Sequence, residues 1–202
     1  MRLLKLSLMG IAFCMVLNVC MASSAVPMLE DAAGHMIDTL KSHRSSLKTD
    51  HSVIRQAVVR YWLPHVDVVG MSRSVLGRNA WAQASAEEKK QFTSTFTDLV
   101  VRTYSTPLAE YSGETITFYP QQDVGQDGHF SRVKSLIKRP NGQVIPLSYA
   151  LVLQSGEWKI YDFSIEGVSL LQSFKNQFDQ VLKNSSVKSL ILEMQQRQLK
   201  AA

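Results

Sequence analysis

The chain has 202 residues, of which 45% are apolar and 19% charged, and its formal charge is +5. Those fractions argue against a largely disordered chain. Ten glycines and six prolines exclude collagen-like and Pro-rich architectures, and no 20-to-50-residue period suggests a solenoid. Length allows one domain, or one domain with an extension.

Residues 1–25 read as an export signal. Arg2 and Lys5 form a basic start, Leu6 to Met21 carries no charge, and small residues follow at Ala22, Ser23, Ser24 and Ala25. This is the three-part layout of a secretory leader, and its apolar run is short for a membrane span of about 20 residues. A lipoprotein cut before Cys20 is disfavoured by the bulky Val19. Loss of Arg2 and Lys5 lowers the net charge to +3, which weakens any case for nucleic acid. Both cysteines, Cys14 and Cys20, lie in the leader. The remainder, 26–202, therefore has no disulfide, thiol nucleophile or thiolate metal site, and must rely on its core.

From about 26 to 112 the pattern is helical. Met28, Leu29, Ala32, Ala33, Met36, Ile37 and Leu40 form one stripe. Asp50 is placed to cap a helix carrying Val53, Ile54, Ala57, Val58, Tyr61 and Trp62, which Pro64 ends. A further apolar segment closes at Gly77. Ser85 with Glu88 is a capping box that opens a long helix carrying Phe92, Phe96, Leu99, Val100, Tyr104, Leu108 and Tyr111.

From about 113 to 166 the pattern is extended. Glu114–Tyr119, His129–Lys138, Gln143–Leu153 and Glu157–Glu166 read as four strands. Asn141-Gly142 predicts a tight hairpin with positive φ at both residues, and Ser155-Gly156 the next turn. Ile145, Leu147, Tyr149, Leu151 and Leu153 share one face of the third strand. In the fourth, Trp158 and Ile160 are expected opposite Tyr161, Phe163 and Ile165. Two helices follow at about 168–199. Helices, then an antiparallel meander, then helices make the fold class α+β rather than a doubly wound nucleotide-binding sheet.

The motifs of common chemistry are missing. The five histidines show no metal-ligand spacing, and there is no Gly-x-Ser-x-Gly elbow and no phosphate loop. Gly167 reads as a turn and Ser169 as a helix cap. Asp162 and Glu166, four apart on one strand face, could do acid–base work, though such carboxylates more often bind backbone amides or a cation. Arg132, Lys134, Lys138 and Arg139 form a basic cluster, read as a solvated strand face. Large apolar side chains are abundant, but periodicity does not separate a filled core from a hollow one.

Tyr61-Trp62-Leu63-Pro64, Val75-Leu76-Gly77, Ser85–Phe96, Thr103-Tyr104 and the run from Trp158 to Ser169 occur in this order. Together they resemble the MlaC-type family, also called toluene-tolerance auxiliary proteins, over essentially all of 26–202. The Trp-Lys-x-Tyr-Asp-x-x-x-Glu-Gly-Val-Ser run is the most specific part. The resemblance implies an NTF2-like curved antiparallel sheet of about four strands, packed with helices around an apolar pocket for acyl chains. It implies a periplasmic phospholipid carrier that maintains outer-membrane lipid asymmetry, with no catalytic residue, metal or cofactor beyond the lipid cargo. It implies two partners, an inner-membrane ABC transporter with an MCE ring and an outer-membrane lipoprotein–porin complex. A shuttle of this kind is most simply a monomer. Pocket candidates are Met71, Val75, Leu76, Phe96, Val100, Tyr104, Leu147, Tyr149, Leu151, Phe163 and Leu171. Trp158 reads as an anchor whose indole N–H needs a partner. The alternatives are an NTF2-like enzyme using Asp162 or Glu166 in a cavity, and a periplasmic chaperone or adaptor with an apolar groove.

Overall fold

A computed structural model describes residues 23–124 and 128–200, so most of the expected leader lies outside the described residues. Helix α1 (Val26–Ser42) has Pro27 in its first turn and buries Leu29, Ala32, Ala33, Met36 and Leu40 along one stripe. Helix α2 (Ser52–Ala57) starts one residue later than expected, with His51 rather than Asp50 at the N-cap; Asp50 stands just before it, its Oδ1 accepting the Ser52 N–H at 2.8 Å. The helix does not run on to Trp62 as a regular α-helix. It widens into a π turn (Val58–Trp62), where the Leu63 N–H reaches back to the Val58 carbonyl, and then a 3₁₀ turn (Leu63–His65). Pro64 has no N–H to continue the α pattern, so the distortion falls just before it.

Helix α3 (Val68–Leu76) is capped by Asp67, whose Oδ1 accepts the Gly70 N–H. A Cβ on residue 70 would sit 2.0 Å from the other Asp67 oxygen, so the cap requires a glycine there. That oxygen also accepts from Gln154, at 2.7 Å, and so ties the helix to the sheet. A short helix, α4 (Arg78–Gln83), follows Gly77 and had no separate signal in the sequence pattern. Helix α5 (Ala86–Ala109) opens with the expected capping box.

The sheet holds the four expected strands and two shorter ones. They are β1 (Thr115–Phe118), β2 (Gln122–Val124), β3 (Phe130–Lys138), β4 (Val144–Gln154), β5 (Glu157–Ile165) and β6 (Val168–Ser169). Their order is β1-β3-β4-β5-β6, all antiparallel, with β2 also on β3. Helices α6 (Leu170–Leu182) and α7 (Val187–Lys200) close the chain.

Two local expectations change. In the β3–β4 turn only Gly142 takes a positive φ, of 87°; Asn141 stays on the ordinary side. The connection is a three-residue loop in which Asn141 Oδ1 accepts the Gln143 N–H. In β5 a bulge intervenes: Ala150 pairs with Asp162, but Leu151 pairs with Ile160. The extra residue reverses the alternation, so Trp158, Ile160 and Phe163 pack into one cluster instead of lying on opposite faces.

Packing divides into three clusters. Val75, Leu76, Phe92, Phe96, Leu171, Phe174 and Phe178 join α3, α5 and α6; the α5 rings meet those of α6 edge-to-face, while Phe92 stacks on Phe96. Leu29, Val133, Tyr149, Leu151, Trp158 and Ile160 hold α1 to the sheet. Met36, Leu40, Leu47, Ile54, Ala57 and Ala109 join the ends of α1, α2 and α5. The Trp158 indole finds its partner in the Ser23 carbonyl, at 2.7 Å.

Candidate functional site

Between the helices and one face of the sheet lies a cavity of about 550 Å³. Helix α1 contributes Ala33, Met36, Ile37 and Leu40; the π turn contributes Val58 and Trp62; α3 contributes Met71. From α5 come Phe96, Val100, Val101, Tyr104, Pro107 and Leu108, one face of the helix over four turns. The sheet supplies Ile116, Ile137, Ile145, Leu147, Tyr149, Ile160, Phe163 and Ile165. The β5 bulge is what lets Ile160 and Phe163 both reach this wall. The volume is in the range of sites for small organic ligands, roughly 300–1,000 Å³.

The aromatic lining is held in place by ring contacts. Trp62 stacks on Tyr149 at 5.9 Å, and Tyr104 meets Phe163 edge-on at 5.2 Å. Burial pushes the Tyr149 hydroxyl up to about 12, and burial also raises Tyr104, with the Asp162 charge adding to it. Neither phenol ionises near neutral pH, so these walls stay uncharged.

Charge is confined to one end. Glu114 precedes β1, Arg139 follows β3 and Glu166 follows β5. Glu114 accepts from the Ser112 N–H at 2.7 Å, the Ser112 hydroxyl at 3.0 Å and the Gly113 N–H at 3.1 Å. Burial raises its carboxyl, but these bonds outweigh burial and hold it below the usual glutamate value. It lies 3.7 Å from Arg139 Nε. Tyr111 lines the same end. Its buried hydroxyl has no hydrogen-bond partner among the described residues.

Seven of the eleven sequence candidates line the cavity: Met71, Phe96, Val100, Tyr104, Leu147, Tyr149 and Phe163. The other four do not. Val75, Leu76 and Leu171 are packed in the helical cluster, and Leu151 in the cluster under Trp158. Sequence reasoning missed the α1 wall, Trp62, Ile160 and the charged end. The α1 stripe was legible, but nothing in it said which element it faced. Arg139 was grouped with Arg132, Lys134 and Lys138, which stay exposed on β3, whereas Arg139 turns to Glu114.

Asp162 and Glu166 separate in role. The Asp162 carboxylate accepts the Ser169 hydroxyl at 2.6 Å and the Leu171 N–H at 3.1 Å, while Ser169 caps α6. It is the capping carboxylate of the sheet-to-helix corner, and only Glu166 lines the cavity. No cluster of three metal-ligating side chains occurs among the described residues. A second depression of about 760 Å³ lies between α4 and α6, lined by Arg78, Glu88, Lys175, Asp179 and Lys183. Its mixed charges do not suit an apolar ligand.

Known proteins resemble this arrangement along most of the chain. The solved phospholipid-binding protein from Ralstonia solanacearum, in complex with a phospholipid, superposes with a TM-score of 0.79 at 26% identity, covering 88% of this chain and 98% of that one. The intermembrane phospholipid transport system binding protein MlaC of Haemophilus influenzae is 28% identical, over 92% of this chain and 87% of that protein. Toluene tolerance protein ttg2D of Pseudomonas putida is 26% identical, over 74% of this chain and 69% of that protein. A family model described as MlaC protein matches residues 30–196, and the chain belongs to that family.

Proposed function

We propose that the protein is a periplasmic phospholipid carrier that takes lipid from one membrane complex and delivers it to another, without catalysing a reaction. The observation that carries this reading is the cavity: about 550 Å³, lined mainly by apolar side chains and charged only at one end. The relatives named for phospholipid binding and transport support it. The energetics favour a carrier. About 30 chain methylenes leaving water gain roughly 24 kcal/mol at about 0.8 kcal/mol each, so free lipid monomer in an aqueous compartment is very scarce. A cavity that matches the membrane interior removes that barrier with no bond made or broken. The engagement of Asp162 in helix capping removes one of the two carboxylates that the enzyme alternative needs and leaves it only Glu166, at the charged end.

The same reading places an inner-membrane ABC transporter with an MCE ring and an outer-membrane lipoprotein–porin complex at the two ends of the route, and the leader directs export. Native mass spectrometry of the protein purified from periplasm without detergent tests it. Added mass of phospholipid, released on organic extraction, is expected. A bare mass with no uptake from liposomes would sink the carrier.

A further inference from the structure

The charged end of the cavity has a composition that an acyl-chain site does not require. Two carboxylates and one guanidinium line it. Sheet register brings Arg139 and Glu166 to either side of the start of β4. The Arg139 N–H donates to the Gln143 carbonyl and the Glu166 N–H to the Pro146 carbonyl, both at 2.9 Å. Glu114 is fixed by its three hydrogen bonds and orients Arg139 from one side. Gln143 Oε1 accepts from Arg139 Nη1 at 2.9 Å on the other. A guanidinium has five N–H donors, so this one is held in place with donors left over, and its side chain is 39% exposed. The Glu166 carboxylate makes no hydrogen bond or ion pair with the described residues, and it is carried on a backbone φ of 51° that a side chain rarely adopts.

We infer that this end of the cavity is a clamp for a zwitterionic phospholipid headgroup, with the phosphodiester on Arg139 and the ammonium on Glu166. The inference rests on the carrier reading and adds a preference to it. An anionic glycerol headgroup would satisfy Arg139 but leave Glu166 facing hydroxyls; an ethanolamine headgroup satisfies both charges.

The test offers delipidated protein vesicles of equimolar phosphatidylethanolamine and phosphatidylglycerol with the same palmitoyl and oleoyl chains. Bound lipid is then extracted and quantified by mass spectrometry. Partly exposed ion pairs set the scale, so the ethanolamine lipid is expected in about two- to fivefold excess. Glu166→Gln is expected to bring that ratio close to one, with Glu166→Asp retaining part of it; Arg139→Gln is expected to lower retention of both lipids. Thermal melts confirm that each variant is folded. Equal uptake by the unmodified protein, or an unchanged ratio in Glu166→Gln, overturns the clamp and leaves the carrier standing. No uptake of either lipid overturns the carrier, and the clamp with it. Glycerophosphoethanolamine, a headgroup without tails, is expected not to compete at lipid concentrations; equal competition would assign the site to a soluble phosphate ester and overturn the lipid clamp.

Discussion

Glu166 and Ser155 share a backbone state but not a setting. Both have φ of 51°, and each precedes a glycine, with φ of 84° at Gly156 and 83° at Gly167. In both turns a glycine in the first position would remove steric strain of about 1–2 kcal/mol, partly offset by the added freedom of the unfolded chain. Ser155 links β4 to β5 away from the cavity, while Glu166 lines it. Ser155→Gly and Glu166→Gly are therefore both expected to raise stability by up to about 1 kcal/mol in thermal melts. Only Glu166→Gly is expected to alter which headgroup is retained. A lower melting temperature for Glu166→Gly would mean that the carboxylate holds the fold together, and would remove the reason to see its strained position as functional.

At the scale of elements, the start of the chain carries a second consequence. Ser23 to Ala25 were assigned with the leader, yet they take part in the fold. The Ser23 carbonyl accepts the Trp158 indole N–H, the Ala25 N–H donates to Gln121 Oε1, and Ala25 is 1% exposed. A cut after Ala25 would strip the acceptor from a buried indole, at a cost of about 1–3 kcal/mol. The exported chain is expected to begin at Ser23, with Ala22 as the small residue before the cut, and intact mass of the periplasmic protein decides it. A mass starting at Val26 would show that Trp158 finds another acceptor. The four long strands, α1, the capping box of α5 and the Ser169 cap were all legible, because each depends on neighbours within a few residues. The π turn, the β5 bulge and α4 were not. A bulge is set by how β5 meets β4, and alternation read along β5 alone cannot register an extra residue. That one residue moved Ile160 to the side of Phe163 and so changed which side chains line the cavity.

For the whole molecule, the question that apolar patterning left open was whether these stripes close on themselves or surround a space. Val75 and Val100 give that question an experimental form. Both are valines on helical apolar stripes, and nothing in the sequence tells them apart. Val75 is fully buried in the cluster with Phe92 and Phe96, whereas Val100 lines the cavity. Enlarging a side chain in a close-packed core forces neighbours off their rotamers and costs about 1–3 kcal/mol. The same enlargement toward a cavity adds contacts where few exist and can stabilise the empty protein. Val75→Phe is therefore expected to lower the melting temperature of the delipidated protein and to spare lipid uptake in the fraction that folds. Val100→Phe is expected to keep or raise the melting temperature and to reduce the lipid recovered by extraction. Matched destabilisation in the two variants would mean that the space around Val100 is filled core. Normal uptake by Val100→Phe would place the acyl chains elsewhere. Opposite signs would show that the fold gives up stability to keep the cavity open, as a carrier that must both receive and release its cargo requires.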